Sequence, residues 1–178
     1  INLLRLIIFF LSFVLLFILG IIFFDSLKND NEFIPDKLVG TRIENFYSIS
    51  LYDEKLINFK NVSIENKFYL INIWSSWCAP CRDEHHFLVN LAKNSKLKII
   101  GINYKDTKKN AVSFLEKHGN PYSDIFVDEK GSISINLGAY GIPETFLIDN
   151  QKLILLKFAG PLNNRKYQKI IDIFNNEK

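Results

Sequence analysis

The chain has few of the residues that form disulfides in small proteins or bind metal ions, with two cysteines and three histidines among 178 residues. Cys78 and Cys81 are separated by two residues, so a disulfide between them would close a very small loop and remove little entropy from the unfolded chain. No third cysteine is present to form another bridge. The cysteine content excludes a disulfide framework and makes a purely structural bridge a weak interpretation.

The few histidines also argue against a zinc site. His85 and His86 follow the cysteines closely, but neighbouring residues on a helix point about 100° apart, so both cannot easily join the two sulfurs. Structural zinc sites usually draw their ligands from two separated segments. His118 stands alone and is expected on the surface of a helix. We predict no metal site.

The charge is small, with a net value of +3, and no Lys/Arg stripe stands out. A nucleic-acid partner therefore has no support. Methionine is absent, which leaves the true start residue open. With 48% hydrophobic residues, including 16 phenylalanines, the chain can bury the core of one domain.

A long apolar run covers residues 6–24, enough to cross a bilayer core of about 30 Å as a helix. Arg5 precedes it, so the positive-inside rule places the rest of the chain outside the cytoplasm. No small-residue cleavage site follows Phe24, which favours an uncleaved anchor over a cleaved signal peptide. The predicted organisation is an anchor at 1–25, a linker at 26–36 and one domain at 37–178.

The two cysteines lie where a predicted strand gives way to a predicted helix. Residues 68–74 form an apolar run typical of a buried strand, and apolar residues recur at helical spacing after Pro80. Cys78 would then face the free backbone N–H groups of the first helical turn, which favour a thiolate, the attacking form of the thiol. We expect Cys78 to be the exposed nucleophile and Cys81 to be more covered.

The remaining pattern predicts an α/β protein whose sheet is parallel in its first half and antiparallel in its second. A hairpin is expected at 46–52 and 56–59, and further strands at 98–104, 125–128, 145–149 and 153–158. Helices are expected at 108–118 and 163–174, with a short helical turn at 135–137.

Four stretches carry a resemblance to a known family. The order of elements and the Trp-Cys-x-Pro-Cys motif resemble the thioredoxin fold. More specifically, the chain resembles the membrane-anchored thioredoxin-like proteins of cytochrome c maturation, of the DsbE/CcmG type. The matching stretches are residues 70–85, 101–106 (Gly-Ile-Asn-Tyr-Lys-Asp), 140–149 (Tyr-Gly-Ile-Pro-Glu-Thr-Phe-Leu-Ile-Asp) and 160–162.

The resemblance implies a redox-active Cys78–Cys81 pair as the catalytic group, with no other cofactor. Cys78 would attack a partner disulfide, and Cys81 would resolve the mixed disulfide. Trp77 and Pro80 would flank the sulfurs, although simple surface packing is an alternative for Trp77.

A second segment is expected opposite the cysteines. The Ile142–Pro143 pair resembles the cis-proline of this fold, whose backbone edge can pair with an extended substrate; a trans turn proline is the alternative. Glu84 and Glu144 are expected to form an acidic patch near the thiols, or else to be ordinary solvated charges.

Two positions depart from ordinary thioredoxin. Asn72 stands where thioredoxin carries a buried aspartate that helps proton transfer at the second cysteine. Cys81 must then find another proton acceptor, for which Glu84 and Glu144 are the candidates. His86 replaces a helix-kinking proline.

The implied function is that of a thiol–disulfide oxidoreductase, acting mainly as a reductant and held by a single-pass anchor in the bacterial inner membrane with its domain in the periplasm. The implied substrate is the C-x-x-C-H haem-attachment site of apocytochrome c, or a thiol protein of the same pathway. A transmembrane electron donor would reduce the enzyme again. The alternatives are an anchored reductant for another target, such as a copper-site assembly factor, and a non-catalytic holdase for apocytochrome.

Overall fold

A computed structural model describes residues 3–28, 37–62 and 66–176. The chain divides into two compact units, Ile1–Glu32 and Phe33–Lys178. In the first unit, helix α1 spans Leu3–Lys28. Its segment Arg5–Phe24 is long and apolar enough to cross a membrane, and none of that segment is buried in a protein core. Of the predicted linker, residues 26–28 belong to α1, and residues 29–36 lie outside the described residues.

The described residues of the second unit form two sheets, a smaller hairpin and a larger mixed sheet. The hairpin strands β1 and β2 pair antiparallel. The larger sheet has the order β5-β4-β3-β6-β7, in which β3, β4 and β5 run parallel and β6 and β7 run antiparallel. This confirms the predicted mixed sheet. The bounds are β1 Tyr47–Ile49, β2 Leu56–Asn58, β3 Phe68–Trp74, α2 Ala79–Leu91, β4 Leu97–Tyr104, α3 Lys108–His118, β5 Asp124–Asp128, α4 Ser132–Asn136, β6 Glu144–Asp149, β7 Ile154–Ala159 and α5 Asn164–Asn176.

The central strand β3 is buried on both faces, because every one of its residues is buried. Side chains alternate across a strand, and those of β3 therefore enter two different apolar clusters. Leu70 and Trp74 pack with residues of α2, α3 and α5 on one face. Ile71 and Ile73 pack with Phe126 and others on the opposite face.

The strand register brings three connecting segments together at one end of the strands, the end at which β3 and β4 finish. Trp74 is paired with Asn103 across the parallel strands β3 and β4, so both strands end side by side. Ile73 is paired with Glu144, so β6 begins at the same end. The segments after β3, after β4 and before β6 consequently lie close to one another.

Most element predictions are confirmed to within two residues, with two larger differences in length or position. The first hairpin strand covers Tyr47–Ile49 rather than 46–52. The short helix α4 spans Ser132–Asn136 and starts three residues earlier than predicted, because it begins directly after Gly131, whose backbone is left-handed at φ 75°.

Candidate active site

Cys78 and Cys81 form a disulfide at the start of α2. Cys78 is the N-cap of this helix, and its Sγ accepts a hydrogen bond from the Cys81 backbone N–H at 3.1 Å. Pro80 lies in the first turn, where its fixed φ suits a helix and its missing N–H costs nothing. The Cys81 N–H therefore points at the sulfur that would become a thiolate after reduction.

The predicted exposure of Cys78 differs from what the structure shows. Cys78 is 4% exposed and Cys81 is 2% exposed, because in the disulfide Cys78 Sγ is turned inward, toward Cys81. Beside Cys78, Trp77 is 58% exposed, and Ala79 and Pro80 are exposed as well. Its indole Nε1 donates a hydrogen bond to the Lys105 carbonyl at 3.0 Å, which fixes the ring beside the helix start.

Glu84 lies one helical turn after Cys81, on the same face of α2, and is fully buried. Its Oε1 accepts a hydrogen bond from Asn72 Nδ2 at 2.9 Å, and its Oε2 accepts one from the Leu162 N–H at 2.7 Å. Burial raises the pKa of Glu84 to about 7, although these two hydrogen bonds and the charge of Lys166 act in the opposite direction. Glu84 therefore changes its protonation near neutral pH.

Asn72 is the centre of this buried network. Its Oδ1 accepts from the Tyr122 hydroxyl at 2.8 Å, and its Nδ2 also donates to Thr145 Oγ1 at 3.1 Å. Burial and the nearby Glu84 raise the pKa of Tyr122 well above 10, so the phenol stays a neutral donor. At the position where thioredoxin has an aspartate that titrates, this chain has Asn72, whose side chain binds and orients Glu84.

Glu144 is also buried, but it is held by a cation. Lys157 Nζ lies 3.0 Å from Glu144 Oε2, and both side chains are almost completely shielded from solvent. Glu144 Oε1 accepts hydrogen bonds from the Tyr140 and Gly141 N–H groups at 2.5 and 3.1 Å. Lys157 Nζ in turn donates to the Gly138 carbonyl at 2.6 Å. This ion pair fastens the loop that leads to Pro143.

The prediction that Glu84 and Glu144 form an acidic patch at the surface is therefore wrong. Neither Glu84 nor Glu144 presents a carboxylate to solvent or to a bound partner, because each is buried and hydrogen-bonded within the domain. Both support the site from beneath.

The Ile142–Pro143 peptide bond is cis, as predicted. Ile142 packs against the buried cluster that contains Cys78 and Cys81. Since β6 begins directly after Pro143 and pairs with the end of β3, this loop lies at the edge of the sheet where the dithiol segment starts.

The histidines near the cysteines have structural contacts. His85 is buried, its Nε2 lies 2.9 Å from the Gly119 carbonyl, and its pKa is lowered mainly by burial. His86 is exposed and contacts the Asp83 carbonyl. His118, predicted on the surface, is half-buried because its ring packs on Phe114 at 4.8 Å. Across 3–28, 37–62 and 66–176, no group of three or more His, Cys, Asp or Glu side chains could hold a metal ion.

Several residues of the site were not predicted from the sequence. Tyr122 carries no signal, because its partner Asn72 is 50 residues away in the chain. Leu162 belongs to the matching stretch 160–162, but that stretch does not reveal its partner Glu84, which is 78 residues away. Lys157 does carry a sequence signal, because it lies within the apolar run of β7. A buried lysine needs an acidic partner.

A C-x-x-C disulfide at a helix N-terminus, at the end of the central strand of a mixed sheet, defines a thiol–disulfide oxidoreductase of the thioredoxin type.

Comparisons with known proteins agree with this class. The Redoxin family model matches residues 38–171. The chain is 36% identical over 143 residues to the thiol:disulfide interchange protein DsbE of Escherichia coli K12, covering 80% of this chain and 77% of that protein. It is 47% identical over 104 residues to the thiol:disulfide interchange protein CycY of Rhizobium leguminosarum, covering 58% of this chain and 56% of the relative. A crystal structure of a DsbF homologue from Corynebacterium diphtheriae shares the fold, with a TM-score of 0.66 at 24% identity over 82% of this chain and 94% of that one.

The chain belongs to the Redoxin family and, within it, to the DsbE/CycY thiol:disulfide interchange proteins. It is a thiol–disulfide oxidoreductase.

Proposed function

We propose that the protein is a membrane-tethered reductant of the bacterial periplasm. Its substrate is the oxidised C-x-x-C-H haem-attachment site of apocytochrome c, or a thiol protein of the same pathway. The observation that carries the proposal is the Cys78–Cys81 disulfide at the start of α2, with the buried Glu84 one helical turn after Cys81. The pKa of Glu84, about 7, suits proton transfer in a neutral compartment. The resemblance to DsbE-type proteins supports the choice of substrate.

The reaction moves two electrons from the protein to its partner. The Cys78 thiolate attacks one sulfur of the partner disulfide, and the other partner sulfur leaves as a thiolate. Cys81 gives its proton to the Glu84 carboxylate and attacks Cys78 Sγ, which releases the second partner sulfur. The two released thiolates take up protons, so the partner becomes a dithiol and the protein a disulfide.

Glu84 is better placed than Glu144 to be the proton acceptor. It follows Cys81 by one turn on the same buried helix face, and near neutral pH it exists in both protonation states. Glu144 is neutralised by Lys157 at 3.0 Å and accepts two backbone hydrogen bonds, so protonating it would break an ion pair.

The partner is expected to contact the rim of the site. Trp77 is largely exposed beside Cys78, and Tyr140 is 71% exposed on the loop that leads to Pro143. An extended peptide can pair with the backbone edge next to Ile142 while its cysteine reaches Cys78. Glu84 and Glu144 lie beneath this rim and do not contact the partner.

The proposed location follows from the N-terminal segment. Helix α1 is long and apolar enough to span a membrane, and Arg5 at its start favours a cytoplasmic N-terminus. The catalytic domain then lies in the periplasm, and a membrane protein that carries electrons across the bilayer reduces the disulfide again.

A trapping experiment tests the substrate. Cys81→Ser in the full-length protein removes the resolving thiol, so mixed disulfides at Cys78 persist and can be recovered from membranes. We expect apocytochrome c or one pathway thiol protein to dominate the adducts. The matched control, Cys78→Ser with Cys81→Ser, should recover none.

Other outcomes would overturn the assignment. Adducts spread over unrelated secreted proteins indicate a general oxidoreductase, and a dominant copper-site assembly factor indicates an anchored reductant for that target. Binding of reduced apocytochrome without any adduct indicates a holdase.

A further inference from the structure

The segment that carries Cys78 is held from the side by the turn after β4. Ser76 makes two hydrogen bonds to one carboxylate: its backbone N–H donates to Asp106 Oδ2 at 2.7 Å, and its Oγ donates to Asp106 Oδ1 at 2.9 Å. The next residue, Trp77, donates from its indole to the Lys105 carbonyl at 3.0 Å. The two residues before Cys78 are thus bound at three points to residues 105 and 106, which we call the β4 turn.

The β4 turn is itself firmly held. Asp106 also accepts hydrogen bonds from Asn103 Nδ2 at 3.2 Å and from the Thr107 N–H at 2.8 Å. The Lys105 N–H donates to the Asp128 carbonyl at 3.0 Å. Each carboxylate oxygen of Asp106 accepts two hydrogen bonds. The carboxylate therefore connects the end of β4, the start of α3 and the segment before Cys78.

We propose that Asp106 is a positioning residue that holds Ser76 and Trp77 in place and thereby lowers the reduction potential of the Cys78–Cys81 pair. The inference rests on the thiol–disulfide exchange within the proposed function and is independent of the partner's identity. Asp106 contacts neither sulfur directly and acts through Ser76.

The direction of the effect follows from the two redox states. In the oxidised protein, the disulfide itself ties Cys78 to Cys81, so the segment stays in place with or without Asp106. In the reduced protein that covalent link is gone, and the hydrogen bonds from Ser76 and Trp77 restrain the segment. Removing them gives the reduced state more conformational freedom and stabilises it relative to the oxidised state. The reduction potential should therefore rise, which makes the protein a weaker reductant.

The test is the equilibrium of the full-length protein, in detergent micelles, with reduced and oxidised glutathione. Asp106→Asn keeps the shape of the side chain but replaces one accepting oxygen with a donating amide. Ser76→Ala removes the Oγ bond and leaves the Asp106 charge in place. Ser76→Thr keeps both donors, and Asp172→Asn removes an exposed charge on α5 as a matched control.

We expect Asp106→Asn to shift the equilibrium constant about tenfold toward the reduced protein, because the backbone freedom of about one residue is regained in the reduced state only. A tenfold change corresponds to about 30 mV. Ser76→Ala should shift it about threefold in the same direction, because the Ser76 N–H bond to Asp106 keeps part of the restraint. Ser76→Thr and Asp172→Asn should match the wild type. The Trp77 contribution to indole fluorescence should also change in Asp106→Asn.

Two results would overturn the proposal. One is a wild-type potential in both Asp106→Asn and Ser76→Ala, which would make the contacts merely structural. The other is a shift in Asp106→Asn alone, which would assign the effect to the charge rather than to the restraint on Ser76. If Asp106→Asn fails to fold, the comparison of the reduction potentials of Ser76→Ala and Ser76→Thr still tests the proposal. Because glutathione replaces the partner, a failure to trap apocytochrome c leaves this result unaffected.

Discussion

The substitution Glu84→Gln tests the proposed proton acceptor through the pH dependence of stability. Burial raises the pKa of Glu84 from its ordinary value of 4.5 to about 7 in the folded protein. Between these values the folded protein binds more protons than the unfolded chain, so its free energy of unfolding falls as the pH rises. The stability that protonated Glu84 gives the folded protein, relative to ionised Glu84, is fully present below pH 4.5 and is lost as the pH rises through about 7. It amounts to about 3 kcal/mol, since one pKa unit corresponds to about 1.36 kcal/mol.

The assay is denaturant unfolding of the oxidised full-length protein in detergent micelles from about pH 4 to about pH 8, for the wild type and for Glu84→Gln. The difference between the two curves isolates Glu84, because the buried His85, whose pKa is lowered, titrates in both proteins. We expect the stability of the wild type relative to Glu84→Gln to fall by about 3 kcal/mol across this range. Parallel curves would refute the raised pKa.

A kinetic measurement connects the same substitution to the reaction. A mixed disulfide is prepared between Cys78 and a small thiol, and the rate at which Cys81 releases that thiol is followed against pH. We expect an inflection near pH 7 in the wild type, and its loss in Glu84→Gln with a rate lower by about 10²-fold, the contribution typical of a general base. An unchanged profile would exclude Glu84 as the proton acceptor.

Three further predictions concern stability and topology. Lys157→Met should lower the free energy of unfolding by about 3–5 kcal/mol, because it leaves the Glu144 carboxylate buried without its cation; adding Glu144→Gln should recover part of the loss, and a neutral single variant would contradict the ion pair. Gly101→Ala should cost about 1–3 kcal/mol in unfolding experiments, since the new Cβ would lie 2.9 Å from Trp74 Nε1, whereas Gly141→Ala, with nothing within 4 Å of its Cβ, should be nearly neutral. Protease added to intact spheroplasts should digest the catalytic domain, and protection of the domain would reverse the proposed orientation.

The elements whose signals are local could be predicted from the sequence. Strand β3 has the predicted bounds because its apolar run is continuous and central strands are buried on both faces. Helix α3 also has its predicted bounds, since Thr107 caps its start and Gly119 ends it. The position of the cysteines at the start of α2 followed from the C-x-x-C motif between a predicted strand and a predicted helix. The cis peptide bond before Pro143 was implied by the family resemblance and not by a local signal.

The environment of the acidic residues could not be predicted in the same way. Glu84 on a helix and Glu144 beside a turn look like solvated charges, because their sequence neighbours do not reveal what covers them. The Leu162 N–H that binds Glu84 is 78 residues away, and Lys157 comes from the neighbouring strand β7. Burial of a carboxylate is decided by such distant partners, so it becomes visible only in the folded structure.

The same limit applies to the β4 turn. The Gly-Ile-Asn-Tyr-Lys-Asp stretch was recognised as a family motif, but its contact with Ser76 depends on the parallel pairing of β3 with β4. The sequence identified Asp106 without indicating what it binds.

The most direct test of the central claim is a single-turnover reaction between the reduced full-length protein and a peptide that carries an oxidised C-x-x-C-H site. We expect the peptide to be reduced and the Cys78–Cys81 disulfide to form in equal amounts, with no reaction in Cys78→Ser. Electron flow in the opposite direction, with the reduced peptide reducing the protein's disulfide, would contradict the proposal that this protein is a reductant.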